Sequence, residues 1–174
     1  MPCTRTLLFL LACVPLVGCS PTLDWREVRP PESQLVLLFP CKPSAQGRPV
    51  PLAGQPVRLT LHACSAGGQT WGLVFADVAD PARIAPALAD FVASATSNIA
   101  GAATRAAPFR VRGATPNPGS QRLLLQGKLP DGRTVSMQVA VFTHGTRVFQ
   151  ATVLGEQLSA EAVDIFFDGL HIQP

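Results

Sequence analysis

The side chains of this 174-residue chain that are best suited to chemistry are five cysteines and three histidines. No Gly-x-Ser-x-Gly, His-Glu-x-x-His, Walker or dinucleotide-binding motif surrounds them, so the signatures of hydrolases, zinc peptidases and nucleotide-binding proteins are missing. His62, His144 and His171 show no local spacing with an acid or a nucleophile that would indicate a catalytic unit. We therefore expect no catalytic, cofactor-binding or metal site, and a protein that is not an enzyme.

Cys19 lies in a sequence that predicts lipid attachment. Arg5 precedes an apolar stretch, residues 7–18, which is too short to span a bilayer and is typical of a signal peptide. The stretch ends in Leu16-Val17-Gly18-Cys19, which resembles the lipobox of bacterial lipoproteins, where diacylglycerol is attached to the cysteine thiol and a peptidase cuts before it. We expect residues 1–18 to be removed. The alternative is an ordinary signal peptide whose cysteine has no such role.

Lipidation at Cys19 would anchor the mature chain to a membrane on its periplasmic side. Two or three acyl chains on one residue give stable anchoring, whereas a single chain gives marginal binding. The next residue is Ser20 and not the aspartate that resembles the inner-membrane retention signal of enterobacteria. The outer membrane is therefore favoured over the inner membrane.

Two cysteines, Cys41 and Cys64, remain once the signal peptide and the lipidated residue are set aside. An even pair in an oxidising compartment predicts one disulfide. Two free buried thiols are one alternative. A metal site made by Cys41, His62 and Cys64 is another, since His62 and Cys64 would share one face of a strand.

The distribution of charge indicates a basic middle and an acidic end. A net charge of +3 is too small to predict nucleic-acid binding. Residues 91–130 contain no acid and hold a set of basic residues: Arg105, Arg110, Arg112, Arg122 and Lys128. This set could meet lipid headgroups, lipopolysaccharide phosphates or an acidic protein face. Alternatively, it neighbours the acidic C-terminal residues in the fold or is simply solvated.

Residues 19–33 predict a lipidated N-terminus and a short tether, because prolines interrupt them. Within the tether, Trp25, Arg26 and Arg29 have the character of residues that sit at lipid headgroups. The alternative is that Trp25 packs on the flank of the folded domain.

Residues 34–174 predict a single domain of the α+β class, an antiparallel sheet flanked by helices. Apolar runs and alternation predict strands at residues 34–39, 57–64, 71–77, 122–128, 135–143 and 147–154. Helical spacing predicts one helix between Asp80 and Gly101, with a kink or a separate turn near Pro86, and a second helix from Ser159. Prolines in residues 43–56 predict a stiff connection, and residues 102–120 predict a loop with a short strand at 109–112.

The order of these elements and several packing motifs resemble the PsbP-like fold, which includes bacterial lipoproteins related to DcrB. The motifs are Phe39-Pro40, residues 74–77, residues 145–149 and residues 166–172. Phe149 stands where the family often has tyrosine. The resemblance implies an α/β/α sandwich whose members bind or help to assemble other molecules. Because their partners differ, no functional residue is carried over.

We expect a lipid-anchored periplasmic accessory protein that binds or assembles an envelope protein partner without catalysis. The alternative is a carrier of a small apolar ligand or lipid in a cleft between sheet and helix. An apolar pocket above about 300 Å³ would favour the carrier. An unrecognised hydrolase is a third hypothesis, and oligomeric state and partner identity stay open.

Overall fold

The computed structural model describes residues 22–173, so the predicted signal peptide and Cys19 lie outside the described residues. The strands of this part of the chain are β1 Arg26–Val28, β2 Leu35–Phe39, β3 Ser44–Leu52, β4 Gln55–Ala66, β5 Gln69–Asp77, β6 Ala102–Pro108, β7 Gln121–Lys128, β8 Thr134–His144, β9 Arg147–Gly155 and β10 His171–Ile172. The helices are α1 Ile84–Asn98 and α2 Ala160–Asp168, and a 3-10 turn, Pro81–Arg83, directly precedes α1. Neither α1 nor α2 is long and apolar enough to cross a membrane.

The strands form one large and one small antiparallel sheet, which confirms the α+β class. The large sheet has seven strands in the order β3-β4-β5-β9-β8-β7-β6. The small sheet has the order β1-β2-β10. The large sheet carries α1 on one face, whereas α2 and the small sheet cover the other face.

Each face of the large sheet has its own core, because successive side chains of a strand point to opposite faces. Along β5, Trp71, Leu73 and Phe75 are buried in the core beneath α2 and the small sheet. Val74 and Ala76 contribute instead to the core beneath α1. The sequence therefore supplies apolar residues to both faces of the central strands, as a sandwiched sheet requires.

The start of α1 explains how the chain accommodates Pro86. The Asp80 carboxylate accepts a hydrogen bond from the Ala82 N–H at 2.8 Å, and Pro81 opens the 3-10 turn. Because α1 begins at Ile84, Pro86 lies in its first turn, where a backbone N–H has no partner within the helix. This arrangement matches the predicted separate turn and needs no kink.

Three strands lie where the sequence predicts other structure. β3 occupies the predicted stiff connection, and β1 lies inside the segment predicted as a tether, where it pairs with β2. β6 occupies part of the predicted loop, whereas residues 109–112 form no strand beyond one isolated bridge of Arg112 to His171. β3 and β6 are the edges of the large sheet, and an edge strand tolerates prolines such as Pro49 and Pro51.

Candidate ligand-binding cleft

Helix α1 crosses its face of the sheet diagonally. In its N-terminal half, the Asp90 carboxylate accepts a hydrogen bond from the Ala53 N–H at 2.8 Å, just after β3. Beyond its C-terminal end, the Ile99 carbonyl accepts one from the Lys128 N–H at 2.6 Å, where β7 ends. These two sites lie at opposite ends of the sheet and toward opposite edges. Neither of the two described helices therefore covers one corner of the sheet face, over β3, β4, β5 and β9.

This uncovered corner is a cleft of about 550 Å³, bounded by the C-terminal half of α1. Phe91 and Ala95 of α1 form its wall. Half-buried apolar side chains form its floor: Leu59, Leu61, Ala63, Val74 and Leu154. These side chains would gain burial if a ligand covered them, and a contiguous apolar surface of this kind marks interaction sites.

The depth of the cleft comes from two small residues placed side by side. Ala63 of β4 is the direct cross-strand partner of Gly72 of β5, and both line the cleft. A Cβ atom added at Gly72 would have its nearest neighbour, the His62 carbonyl oxygen, at an ordinary contact distance of 3.9 Å. The local backbone therefore does not require glycine here, and its missing side chain leaves space that a ligand can use.

The polar groups of the cleft are almost all neutral. Amides and hydroxyls stand among the lining residues: Gln46, Thr70, Ser94, Asn98, Gln150 and Thr152. Among the described residues that line the cleft, Arg48 is the single charged one. This part of the chain contributes no carboxylate, imidazole or thiol to the lining, the groups that most often act as an acid, a base or a metal ligand. The arrangement is suited to holding an apolar molecule and orienting a polar end with hydrogen bonds.

The Cys41–Cys64 disulfide confirms the predicted pairing. The two Cα atoms lie 6.0 Å apart, within the usual range for a disulfide. Because both sulfur atoms are bonded to each other, neither is available as a thiolate, and the metal alternative with His62 is wrong. The bridge ties the chain after β2 to β4, next to Ala63 of the cleft floor.

The three histidines lie on three different strands. His62 is buried on the opposite face of β4 from the cleft, where its ring stacks on Phe75 with centroids 6.2 Å apart. Its Nε2 atom has no hydrogen-bond partner within residues 22–173, and burial lowers the pKa of His62. His144 ends β8, and His171 Nδ1 lies 3.1 Å from the Gly169 carbonyl oxygen. Residues 22–173 contain no group of three His, Cys, Asp or Glu side chains that could hold a metal ion.

The predicted basic residues are divided among separate places. The Arg122 guanidinium lies 3.3 Å from the Asp164 carboxylate and 4.2 Å from the centroid of the Phe167 ring. For Arg122, the contact agrees with the alternative prediction that the basic residues neighbour the acidic C-terminal residues in the fold. Lys128 lies six residues further along β7, roughly 20 Å away.

Three further basic residues lie on β6 or after it. Arg105 is exposed on β6. Arg110 and Arg112 line a second cleft, of about 640 Å³, together with Phe109 and Phe142. The structure therefore brings two of the predicted set, Arg110 and Arg112, to one cleft.

The residues predicted at lipid headgroups lie on the folded domain. Trp25 is half-buried and packs edge to face on Trp71, with ring centroids 5.8 Å apart. Arg26 forms an ion pair with Asp24. Arg29 donates a hydrogen bond to the Gln173 side chain at 2.8 Å. The described part of the predicted tether is thus packed against the domain.

No family model, no curated protein and no solved structure matches this chain. The alternation of residues 57–64 predicts Leu59, Leu61 and Ala63 on one face of a strand. The place of the cleft was not predictable from this pattern, because the prolines of residues 43–56 predict a connection where β3 lies. The small residue Gly72 inside a predicted strand was the one signal that pointed to an open floor.

Proposed function

We propose that this chain is a lipid-anchored binding protein of the bacterial envelope that holds a small apolar ligand in the cleft between α1 and the sheet, without catalysis. Cys19 carries the anchor, and the domain faces the periplasm, with the outer membrane favoured over the inner membrane. The α+β arrangement, with helices on both faces of an antiparallel sheet, supports the proposed relation to the PsbP-like fold.

The observation that carries this proposal is the corner left open by α1, whose floor is apolar and whose lining has Arg48 as its one charged residue among those described. Its volume of about 550 Å³ exceeds the value of about 300 Å³ at which ligand pockets begin. Its floor is only half-buried, so a ligand would remove further apolar surface from water. The ligand carrier is therefore favoured over the protein-assembly role that the sequence placed first.

Binding of an envelope protein partner is the second candidate, and the exposed edge strand β6 supports it. All seven of its residues are exposed, and on one of its sides no strand of residues 22–173 pairs with it. An edge strand presents unpaired N–H and C=O groups to which another chain can add a strand.

The proposed function is tested by titrating the protein with N-phenyl-1-naphthylamine, a neutral apolar dye that fluoresces when it leaves water. The chain without residues 1–18, the predicted signal peptide, and with Cys19→Ser avoids interference from the anchor and from that apolar segment. We expect saturable binding of one dye per chain, at least tenfold weaker in Gly72→Leu, whose side chain fills the cleft. Ala106→Leu adds the same side chain on β6, outside the cleft, and should bind as the parent does. Equal binding by Gly72→Leu and Ala106→Leu would contradict the proposal.

A further inference from the structure

The N-terminal residues fix which end of the domain faces the membrane. Leu23 packs on the turn between β4 and β5, where its Cδ2 atom would lie 3.0 Å from a Cβ added at Gly67. The Asp24 N–H donates to the Pro40 carbonyl at 2.8 Å, which holds the chain at this end. Cys19 precedes the first described residue, Thr22, by three positions, which an extended chain covers in at most about 11 Å. With Cys19 as the proposed anchor, the end of the sheet with the β4–β5 turn therefore lies close to the membrane surface.

The cleft reaches this same end of the domain. A shallow depression of about 570 Å³ lies beside the β4–β5 turn and is lined by Gly67, Gly68 and the end of β9. Thr70 and Leu154 line both this depression and the cleft. Through these two residues, a continuous surface runs from the turn on which Leu23 packs to the apolar floor between α1 and the sheet.

The charges at this end are compatible with lipid headgroups. Arg133 is held by the carboxylates of Asp131 and Glu156, at 2.8 Å and 3.4 Å. Lys128 ends β7 at this end of the sheet, and within residues 22–173 it makes no ion pair. A free ammonium group close to a bilayer is attracted to anionic headgroups.

We propose that the cleft takes an acyl chain of a membrane phospholipid, which enters from the bilayer at the β4–β5 end. This inference rests on the proposed function and names its ligand. An acyl chain is uncharged and apolar, as is the floor formed by Leu59, Leu61 and Val74. Because the opening lies at the bilayer surface, the chain passes between two apolar environments with little exposure to water, which would oppose its transfer.

The test uses the lipidated full chain in vesicles of phosphatidylethanolamine and phosphatidylglycerol. The vesicles also contain a phospholipid with a diazirine at the end of one acyl chain, and crosslinks formed on irradiation are mapped by mass spectrometry. We expect crosslinks to peptides that contain Leu59, Leu61 or Val74. Their yield should fall at least tenfold in Gly72→Leu and stay unchanged in Ala106→Leu. Crosslinks confined to Leu23 and the β4–β5 turn would overturn the inference, because they would show surface contact alone.

The dye titration separates failure of this inference from failure of the proposed function. If the cleft binds the dye and Gly72→Leu prevents it, but no lipid crosslink reaches the floor, the ligand is apolar and does not come from the bilayer. The lipid inference is then overturned while the proposed function stands. If neither the dye nor the lipid reaches the floor, both are overturned. Unchanged thermal unfolding of Gly72→Leu shows that a loss of binding does not come from unfolding.

Discussion

Gly72 lies directly opposite Ala63 in the pairing of β4 with β5, and at this point the cleft floor has no side chain larger than a methyl group. Leu59, Leu61 and Val74 of the same two strands and Leu154 of β9 surround the pair. A pair of small residues in the middle of a sheet weakens packing unless something fills the space. The pair therefore makes the cleft deep enough for a ligand, and it gives the most direct route to blocking the site by mutation.

The first prediction concerns the stability of the variant that fills the cleft. Gly72→Leu should change the free energy of unfolding by less than about 1 kcal/mol, because the added Cβ has room and the rest of the leucine side chain enters the open cleft. Gly127→Ala is the contrast, because its Cβ would collide with the Ile99 carbonyl oxygen and lie 2.7 Å from the Gly101 Cα. We expect Gly127→Ala to cost about 2 kcal/mol or more. Urea unfolding measures both, and equal costs would contradict this account of the two glycines.

The second prediction concerns the disulfide. Cys41 and Cys64 close a loop with a sequence separation of 23 residues. Closing a loop of this size in the unfolded chain contributes about 3 kcal/mol of stability. Urea unfolding with and without reductant should show this loss, and the Cys41→Ala, Cys64→Ala double variant should show it without reductant. A stability independent of reductant would be inconsistent with the bridge.

The third prediction is a pH dependence set by His62. Burial lowers its pKa in the folded state, whereas the unfolded state keeps a value of about 6.5. As the pH falls below about 6.5, the unfolded chain takes up a proton that the folded chain does not, so the free energy of unfolding decreases by up to about 1.4 kcal/mol per pH unit. His62→Phe should remove this part of the slope between pH 7 and pH 5. Parallel slopes for both proteins would refute the role of His62.

The fourth prediction concerns the contact between the basic middle and the acidic end. Arg122 contacts the Asp164 carboxylate, the Phe167 ring and the Gln138 side-chain oxygen. Its guanidinium is mostly covered, so Arg122→Ala should cost about 1–2 kcal/mol, most of it from the ring contact. Asp164 is exposed, and Asp164→Ala should cost less than about 1 kcal/mol. Thermal unfolding of both variants checks this prediction, and Arg122→Ala should lose more stability than Asp164→Ala. A larger loss in Asp164→Ala would contradict the view that the ring contact contributes more to stability than the ion pair.

The fifth prediction concerns the anchor. Cys19→Ser removes the thiol to which diacylglycerol would be attached, so labelling with radioactive palmitate should disappear. Ser20→Ala, which leaves the thiol in place, is the matched control and should be labelled as the parent is. Labelling that persists in Cys19→Ser would disprove the assignment.

The central strands and both helices were predictable because their side chains obey a simple period. Residues 57–64 alternate between two faces, and Val163, Phe166 and Phe167 fall on one stripe of α2, so periodicity alone locates these elements. The Cys41–Cys64 disulfide was predictable because the lipobox-like sequence before Cys19 implies an oxidising compartment, where an even pair of cysteines forms a disulfide. Edge strands were not predictable. Pro49 and Pro51 argue against a strand unless its edge position is known, and β6 is exposed on both faces and shows no alternation.

The cleft depends on a property that no local pattern contains, the direction in which α1 crosses the sheet. Two contacts between residues far apart in sequence mark that direction, Asp90 with Ala53 and Ile99 with Lys128. The sequence predicts the helix and its buried face, but it does not show which corner of the sheet stays uncovered. The hypothesis of a cleft between sheet and helix was open from the sequence, whereas its place and lining come from the fold.

The central claim is that an apolar ligand occupies the cleft, and methyl NMR during a titration with N-phenyl-1-naphthylamine tests it most directly. We predict chemical-shift changes at the methyl groups of Leu59, Leu61 and Val74, and none at Leu73, which is buried on the opposite face. Gly72→Leu should abolish these changes. Shifts centred on Val111, in the second cleft, or no shifts at all would contradict the account.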